Sequence, residues 1–403
     1  MATLLEKRVI ELLRSGQGRT QAELCRLTGQ NSSTVSEILG RLRRRKVVES
    51  VGDEGKGLRR GRPGTILRLT QDGCVGGIDI DGAHALIGIL DFHANVLASK
   101  LIGFDARRLS PEQLLVQCDA VLRSLMSQRR MAWKHMRGVG IVVNGQISAS
   151  GLLKFSTVLP WRDQPVAAIA RKLLSMPVFV SDRHQAAVAE QRYGAGKNSR
   201  CMLYFNVADG VSARPVVDGQ IYATSAGGKT GQIGHVVVIP NGPACGCGQR
   251  GCLEAIISGP AICRRIIEDA GTLPASCRPP SSLSGPALEN AAIATINKLT
   301  QLAQSSNRYA EALCAQVVDL AARGLTMATA CFAPDRIVVD GYVFRDRPAL
   351  LERLIAAAAE KVGGPAAGGL SQVVSSQLGD QARLMALATL VSDGLARDGA
   401  LAG

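Results

Sequence analysis

The spacing of apolar residues changes near residue 70, and the change predicts two kinds of structure. Before residue 70, apolar residues recur every three to four positions, as in helices that bury one face. After it, short apolar runs bounded by turn residues alternate with longer helical segments, as in an α/β sheet. We therefore expect a small helical domain followed by a larger α/β body.

Three helical segments are predicted in the first seventy residues. The first covers residues 3–14, and the second begins at a capping box of Thr20 and Glu23 and ends at Gly29. The third follows Asn31, and its apolar side consists of Val35, Ile38, Leu39 and Leu42. A helix, a tight turn and a second helix with a polar start and a basic end form a helix-turn-helix, whose last helix lies in the major groove of DNA.

Candidate DNA contacts follow from this arrangement. Short polar side chains at the start of the third helix can cap it and reach base edges: Ser32, Ser33, Thr34 and Ser36. Arginines at its far end are expected to meet phosphates: Arg41, Arg43 and Arg44. Residues 47–69 predict two strands around a basic, glycine-rich loop, which is the wing of a winged helix. In that loop Arg60 and Arg62, within Arg-Gly-Arg-Pro, resemble the minor-groove grip of AT-hook peptides, with a plain linker as the alternative.

The charge of the chain is unevenly distributed. Residues 1–70 contain 15 Lys and Arg against seven Asp and Glu, a surplus of eight within a net charge of +14. Concentrated positive charge indicates a polyanion partner, although a solvated basic face would look the same by charge alone. The helix-turn-helix pattern favours operator DNA as that partner.

The body is predicted to contain strands that end in polar turns. Strands at 77–80, 85–90 and 96–101 suggest an antiparallel meander, and a helix over 111–130 follows. Strands at 139–143 and 178–180 lead to the turns Asn144-Gly145 and Ser181-Asp182, where functional groups of α/β sheets gather. Asp182 is therefore a candidate ligand-binding residue, and the alternative is the cap of a helix beginning at residue 183.

The second half of the body continues the same alternation. The predicted elements are strands at 202–207 and 336–339, and helices at 260–269, 288–304, 308–329, 349–361 and 381–395. The last helix is expected to return to the first part of the body. At 403 residues the chain is long enough for two or three domains.

Four potential metal ligands lie within eighteen residues: His235, Cys245, Cys247 and Cys252. Three thiolates and one imidazole match the tetrahedral preference of zinc in closed structural sites. Glycines at 246, 248 and 251 are expected to let the loop fold tightly around the ion. A disulfide is disfavoured because Cys245 and Cys247 are too close to bridge comfortably, and the remaining alternative is a loop that is merely rich in cysteine.

The rest of the composition indicates a protein that works inside the cell. No apolar run reaches the roughly 18 residues of a membrane span, and charged residues interrupt the start of the chain where a signal peptide would be apolar. Eleven cysteines, mostly scattered, fit reduced thiols better than a disulfide framework. We expect a cytoplasmic location and no membrane partner.

The metal loop also carries a family resemblance. Gly234-His235, followed by the pattern CxCGxxGCxE at residues 245–254, resembles the signature of the ROK family of sugar kinases and transcriptional repressors, over nearly the whole chain. The resemblance implies a winged helix-turn-helix followed by a two-lobed, actin-like (ribonuclease H-like) α/β fold that binds a sugar between its lobes. The implied domains are 1–70 with the wing and linker, 71–181 with the returning residues 381–403, and 182–380 with the zinc loop.

The turns that hold ATP phosphates in ROK kinases are altered in this chain. Residues 79–83 stand where the kinases have DxGGT, and they include Asp81. Residues 208–212 stand where the kinases have GTGxG, and they include Asp209. The paired glycines near the adenosine are replaced by Asp340-Gly341. Each like-charge contact at about 4 Å costs roughly 4 kcal/mol at an effective dielectric of 20. The sequence therefore predicts that kinase activity is lost.

The sugar side of the resemblance is better retained. It implies ligand contacts from residues at the matching positions and at the strand ends described above: Asp182, which is the general base in the kinases, Gln232, His235, Glu254, Asn144 and Gly145. Gln232 replaces a glutamate and accepts hydrogen bonds without carrying charge. The chain is thus expected to be a ROK-type regulator of the repressor type that senses a sugar or sugar derivative as a homodimer or homotetramer. The alternatives are a sugar kinase with a fused DNA-binding domain and a DNA-binding dimer that needs no ligand.

Overall fold

The computed structural model describes residues 4–14, 18–44, 47–53, 65–69, 73–82, 84–156, 159–182, 184–222, 230–269, 274, 277, 279, 286–361, 373–379 and 381–398. By its internal contacts the chain divides into two compact units. The first comprises Met1–Gln185 with Arg383–Gly403, and the second comprises Ala186–Ala382. Within the described residues, no helix is both long enough and apolar enough to cross a membrane.

The first unit opens with the predicted helices and two strands: α1 Leu4–Arg14, α2 Gln21–Thr28, α3 Ser32–Arg44, β1 Val48–Asp53 and β2 Thr65–Leu69. The strands pair antiparallel, which confirms the two strands predicted around the wing. The apolar side chains that set the helical period are buried together in a small core. We call residues 4–69 the head.

The remaining elements of the first unit follow in chain order: β3 Cys74–Ile80, β4 His84–Leu90, β5 Val96–Gly103, α4 Pro111–Gln128, a 3₁₀ turn Trp133–His135, β6 Met136–Val143, β7 Gln146–Ile147, β8 Leu153–Phe155, β9 Arg162–Gln164, α5 Val166–Leu174 and β10 Val178–Asp182. The second unit then contains α6 Gln185–Tyr193, which starts at the boundary, β11 Cys201–Val207, β12 Val211–Val217, β13 Gln220–Ile221, a 3₁₀ turn Ile233–His235, α7 Glu254–Ile257, α8 Gly259–Glu268, α9 Pro286–Gln304, α10 Arg308–Phe332, β14 Arg336–Asp340, α11 Pro348–Lys361 and β15 Val373–Ser375. The last helix is α12 Gln381–Asp398.

The two units contain sheets of the same design. The strand order is β5-β4-β3-β6-β10 in the first and β13-β12-β11-β14-β15 in the second. In each, three antiparallel strands are extended by two parallel ones. The predicted meander is therefore confirmed as β3 to β5, and its repeat in the second unit was not predicted from the sequence.

Candidate residues lie at matching places in the two sheets. Asp81 follows β3, Asn144 follows β6, and Asp182 is the last residue of β10. In the second sheet Asp209 follows β11 and Asp340 is the last residue of β14. The carboxyl ends of parallel strands lie along one edge of a sheet, so each unit gathers its own polar residues at one edge.

The last helix packs on the sheet of the first unit. A Cβ on Gly77 of β3 would lie 2.7 Å from Leu387 Cδ1, and one on Gly140 of β6 would lie 2.9 Å from the Leu387 carbonyl oxygen. These strands therefore need glycine where α12 crosses them.

Several predicted boundaries differ from the structure. Asp182 belongs to β10 itself, and the helix after it begins at Gln185 instead of residue 183. The strand β12 was not predicted at all, because Pro215 in its centre disfavours a strand assignment. Pro215 pairs with Leu203, and its carbonyl oxygen accepts a hydrogen bond from the Tyr222 backbone N–H.

Candidate metal centre and candidate nucleic-acid interface

The turn that leads into α2 is closed by its own side chains. Thr20 Oγ1 accepts from the Glu23 backbone N–H at 3.3 Å, and Glu23 Oε2 accepts from the backbone N–H groups of Arg19 at 2.7 Å and Thr20 at 3.0 Å. The hydrogen bond from Arg19 is the main reason that the pKa of Glu23 is lowered. Gly29 ends the helix with a φ of 67°. The predicted capping box and glycine stop are both confirmed.

The start of α3 is capped by Asn31 and not by the residues after it. Asn31 Oδ1 accepts from the Thr34 backbone N–H at 2.9 Å and from the Ser33 hydroxyl at 2.8 Å. The expectation that the serines and Thr34 cap the helix is therefore wrong, because the helix already begins at Ser32. Ser32, Ser33 and Ser36 are exposed and Thr34 is half-buried, so the polar start of α3 is open to a partner.

The arginines at the end of α3 have different surroundings. Arg41 Nε lies 3.6 Å from Oε1 of the buried Glu6 on α1, and Arg41 Nη1 lies 2.6 Å from Glu37 Oε1. Arg43 donates to Ser50 Oγ on β1 at 3.0 Å, and Arg44 is exposed. Arg41 thus holds α3 against α1, and contact of these three arginines with phosphates stays a prediction. Arg60 and Arg62 lie outside the described residues.

The four predicted metal ligands come together in the second unit. Their ligand atoms, the sulfur atoms of Cys245, Cys247 and Cys252 and a ring nitrogen of His235, all lie within 4.8 Å of one another. The Cys247 and Cys252 sulfur atoms are 3.7 Å apart, and Cys245 Sγ is 3.7 Å from His235 Nδ1. Ligands about 2.3 Å from a tetrahedral zinc would be roughly 3.8 Å apart. This group could therefore hold a metal ion of that size and geometry.

The backbone of the loop brings these ligands together. The Cys245 N–H donates to the Gln249 carbonyl at 2.8 Å, and the Gly248 N–H donates to the Cys245 carbonyl at 3.0 Å. Gly251 has a φ of +75°, and a Cβ on it would lie 1.7 Å from the Ile239 carbonyl oxygen. Gly246 has no such restriction, since a Cβ there would meet no described atom within 4 Å. Gly248 has a φ of +93°, so the tight turns of the loop favour glycine at 248 and 251, as expected, and the structure gives no such reason at 246.

The three thiols differ in how readily they lose their protons. Burial raises the pKa of the Cys252 thiol to about 12, and it raises the pKa of Cys245 as well. A hydrogen bond from the Gln249 backbone lowers the pKa of Cys247. Metal ligands must be thiolates, and three negative charges this close require a compensating positive charge. A bound metal ion would supply it.

Asp79, near the end of β3, and Asp81, just after it, are paired inside the first unit. Asp79 and Asp81 are 2% and 6% exposed. Arg383 on α12 donates to Asp79 Oδ2 at 2.5 Å and to Asp81 Oδ2 at 3.3 Å. Asp81 Oδ1 also accepts from the His84 backbone N–H at 2.7 Å. A side chain of this chain therefore supplies the positive charge at this turn.

The carboxylates of the second unit also have side-chain partners, and these include tyrosines. Asp209 Oδ1 accepts from the Tyr342 hydroxyl at 2.6 Å. Asp340 accepts a short hydrogen bond from the buried Tyr204 hydroxyl, and Arg345 Nη1 lies 3.4 Å from its other oxygen. Burial, and then the charge of Asp340, raise the pKa of Tyr204 well above its usual value. Tyr204 therefore remains a neutral donor to Asp340.

The predicted sugar-contact residues of the second unit surround the metal ligands. Glu254 Oε2 accepts from the Val211 backbone N–H at 3.0 Å, and its other oxygen lies 4.0 Å from His235 Nδ1. Gln232 is exposed just before the 3₁₀ turn that carries His235. Glu254 thus lies between His235, a candidate metal ligand, and the turn after β11.

The predicted ligand residues of the first unit lie at two strand ends. Asp182 Oδ1 accepts from the His184 backbone N–H at 3.1 Å and lies 3.0 Å from His184 Nδ1. The Asn144 N–H donates to the Ile80 carbonyl at 3.0 Å. Gly145 permits a close turn, since a Cβ there would lie 2.5 Å from Leu153 Cδ1. Their contact with a ligand stays a prediction.

The fold and these residues define a two-part protein, and comparison with known families assigns both parts. The sequence pattern of the ROK family matches residues 75–394, and that of the MarR family matches residues 3–57. The chain therefore belongs to the ROK family and carries an N-terminal winged helix of the MarR type. The predicted family and fold class are confirmed.

Two kinds of relative are similar to the chain. The xylose repressor of Bacillus subtilis strain 168 is 27% identical over 249 residues, which is 61% of this chain and 64% of that repressor. The glucokinase of Thermotoga maritima is 29% identical over 258 residues, which is 63% of this chain and 79% of the kinase. The matched region thus spans less than two thirds of the repressor's length.

Solved structures share the fold. A ROK family transcriptional regulator that is a homologue of the E. coli MLC protein aligns with a TM-score of 0.78 and 19% identity, over 98% of this chain and 96% of that one. A ROK hexokinase from Thermus thermophilus aligns with a TM-score of 0.63 and 23% identity, over 79% of this chain and 99% of its own. The regulator structure therefore has counterparts of both the head and the body.

Sequence reasoning missed the partners of the carboxylates. Arg383, Tyr342 and Tyr204 are far from Asp79, Asp209 and Asp340 along the chain, separated by 304, 133 and 136 positions. A clue was available in Arg383, a basic residue within the apolar and small-residue stretch 382–391 of α12. Asn31 could have been recognised, because asparagine is a strong helix cap three positions before Thr34.

Proposed function

We propose that this protein is a DNA-binding transcriptional regulator of the repressor type, whose body senses a sugar or sugar derivative and no longer phosphorylates it. The observation that carries the proposal is the head. Its third helix exposes a polar start and a basic end, and it precedes a ROK body in one chain. The head is where the positive charge of the chain is concentrated. Xylose repressors among the relatives support the same assignment.

Loss of kinase activity follows from the three carboxylate turns. A phosphate-binding turn presents backbone N–H groups to an anion. Here Asp81, Asp209 and Asp340 stand at the turns that match those of ROK kinases, and each is engaged with a side chain of its own unit. Even a single uncompensated like-charge contact, at half of about 4 kcal/mol, lowers the affinity for a nucleotide by about thirtyfold.

We further propose that the metal ion is zinc and that its role is structural. Three cysteines and one histidine leave no open coordination position for a substrate. The ion would hold His235 and, through it, Glu254 beside the turn that follows β11. Glu254, His235 and Gln232 in the second unit, and Asp182, Asn144 and Gly145 in the first, are the proposed sugar contacts.

The proposed partner is an operator with two half-sites. The family resemblance implies a homodimer or homotetramer, whose two heads would read an inverted repeat with half-sites about 34 to 36 Å apart or a multiple of that. Ser32, Ser33, Thr34 and Ser36 are proposed to face base edges. Arg43 and Arg44 are proposed to meet phosphates, and Arg60 and Arg62 to enter an A·T-rich minor groove.

Selection of bound sequences from a random duplex library, with the purified full chain, tests this proposal. Enrichment of an inverted repeat that a sugar from a carbohydrate panel releases would support both DNA reading and sensing. Enrichment without any sugar effect would favour the ligand-independent DNA-binding dimer. Absence of enrichment, together with ATP turnover on a sugar, would favour a kinase, the alternative that the glucokinase relatives support.

A further inference from the structure

The middle of α3 contains a glycine that the head itself does not require. Gly40 is an interior residue of Ser32–Arg44, and a Cβ on it would meet no described heavy atom within 4 Å. Other glycines of the head have internal reasons: Gly29 has a φ of +67°, and a Cβ on Gly18 would lie 2.7 Å from Leu24 Cδ2. Glycine is less favourable than alanine inside a helix because it loses more backbone freedom on folding. Among the described residues of the head, therefore, nothing accounts for a glycine at position 40.

Gly40 lies on the outward side of α3. Residues three and four apart share a helix face, so Gly40 lines up with Ser36, Glu37, Arg43 and Arg44, all of which are exposed. The opposite side is buried and consists of Val35, Ile38, Leu39 and Leu42. Gly40 is therefore a gap in a row of polar and basic side chains that faces away from the core.

Glu37, one turn before this gap, is held in a defined position. Its side chain is 72% exposed, and Oε1 lies 2.6 Å from Arg41 Nη1. Arg41 is in turn attached to Glu6 of α1, whose side chain is 2% exposed. The carboxylate is thus fixed by a guanidinium that is anchored in the head, and its charge is offset by that neighbour.

Duplex DNA is the occupant that fits this surface. The major groove is about 12 Å wide, and a helix with its side chains is about 10 to 12 Å in diameter, so the groove walls come close to the sides of the helix. A missing side chain lets a wall approach the helix backbone. In the groove a carboxylate accepts from the N4 amino group of cytosine, whereas exposed arginines complement phosphates.

We infer that Gly40 and Glu37 determine the specificity of the DNA-reading surface. Gly40 admits one wall of the groove against α3, and Glu37 selects a cytosine in the half-site. This inference rests on the proposed function, since it concerns the same surface. It also assigns Arg41 a positioning role, because Arg41 orients Glu37 from within the head.

The Gly40 part is tested with Gly40→Ala and Gly40→Gln on the site selected by the wild type. Both variants are expected to melt at or above the wild-type midpoint, because each replaces a helical glycine with a better helix former. The Kd for the site should rise about tenfold for alanine and further for glutamine, as the side chain grows. Gly103→Ala is the matched control, since a Cβ there lies at an ordinary 3.9 Å from His84 Cδ2; its Kd should not change.

The possible outcomes separate the inference from the proposed function. If the wild type enriches no sequence, the proposed function fails. If it enriches a site and both Gly40 variants bind that site with the wild-type Kd, the inference about Gly40 is overturned and the proposed function stands. A midpoint lower for Gly40→Ala than for the wild type would also overturn it, because the glycine would then serve the head itself.

The Glu37 part is tested by repeating the selection with Glu37→Gln. An amide pairs with adenine through its donor and acceptor, whereas a carboxylate only accepts. We expect one cytosine of the wild-type half-site to be lost and adenine to be preferred in its place. An unchanged half-site in the variant would contradict a base contact from Glu37.

Discussion

The metal loop and the three carboxylate turns lie in the same ROK body, but they differ in where their charges are balanced. In the loop, residues 232–254, three thiols and one imidazole gather within 4.8 Å of one another, and the charge of three thiolates there would be balanced by a cation from solution. At the turns, Asp81 is paired with Arg383, and Asp209 accepts from Tyr342. Asp340 contacts both Tyr204 and Arg345. All of these partners belong to the same chain. The body thus has a candidate site for an ion, and it carries engaged carboxylates at the turns that match the phosphate-binding turns of ROK kinases.

The two regions share a backbone feature and differ in their side chains. Both regions are built on glycine, as at Gly251 of the loop and Gly341 after Asp340, which have φ values of +75° and +91°. Backbone shape alone therefore does not distinguish them. The side chains do, because each of the three turns carries a carboxylate that is engaged by other side chains of the same chain.

The largest effect is expected from removing a metal ligand. Structural zinc contributes about 10 to 16 kcal/mol to the folding of zinc-finger peptides, so loss of even part of this should destabilise the second unit. Cys247→Ser should abolish the stoichiometric zinc found by elemental analysis and lower the melting midpoint. Cys331→Ser, an exposed cysteine of the same unit, is the control and should retain both. A wild type that is metal-free and fully stable would contradict the metal site.

The second prediction concerns the phosphorylation of sugars by ATP. With ATP and magnesium, the wild type should show no measurable phosphorylation of hexoses, amino sugars or pentoses, because three turns carry carboxylates where the kinases bind phosphate. Coupled detection of ADP over a sugar panel measures this. Turnover at ordinary kinase rates that disappears in Asp182→Asn would break the comparison, since the turns would then still accept phosphate.

Removing the guanidinium of Arg383 should lower the stability of the protein by a smaller but clear amount. Arg383→Ala leaves Asp79 and Asp81 buried without their guanidinium, and breaking a buried pair costs about 3 kcal/mol or more. Urea unfolding should detect this as a lower midpoint. Arg107→Ala is the control, because Arg107 is 81% exposed beside Asp105 and should leave the midpoint unchanged. An equal response of the two variants would show that Arg383 does not stabilise the turn.

The smallest effect is expected at the proposed sugar contacts. Asp182→Ala and Glu254→Ala should each leave DNA binding intact and weaken the sugar response by about 1 to 3 kcal/mol, the typical loss when a buried hydrogen bond to a ligand is removed. Titration of the sugar against bound DNA measures this. Glu311→Ala, an exposed glutamate of α10, serves as the control. A wild-type response in both variants would place the effector elsewhere.

Local patterns of the sequence predicted the parts of the fold that depend on near neighbours. The capping box at Thr20, the buried face of α3 and the four metal ligands all involve residues within eighteen positions of one another. What remained hidden depends on distant residues. The Arg383–Asp79 pair spans 304 positions, and the repeated sheet appears only when β11 to β15 are compared with β3 to β10. The strand β12 was not predicted because its own Pro215 disfavours a strand, and pairing with β11 overrides that preference.

The central claim is that the head reads a specific DNA sequence, and one comparison of affinities tests it most directly. The Kd of the full chain should be measured on its selected inverted repeat and on a scrambled duplex of equal length and composition, at the same series of salt concentrations. We predict tighter binding to the selected site by about 10³-fold or more, with both affinities falling as salt rises. Equal affinity for the two duplexes at every salt concentration would contradict the claim, because only phosphates would then be recognised.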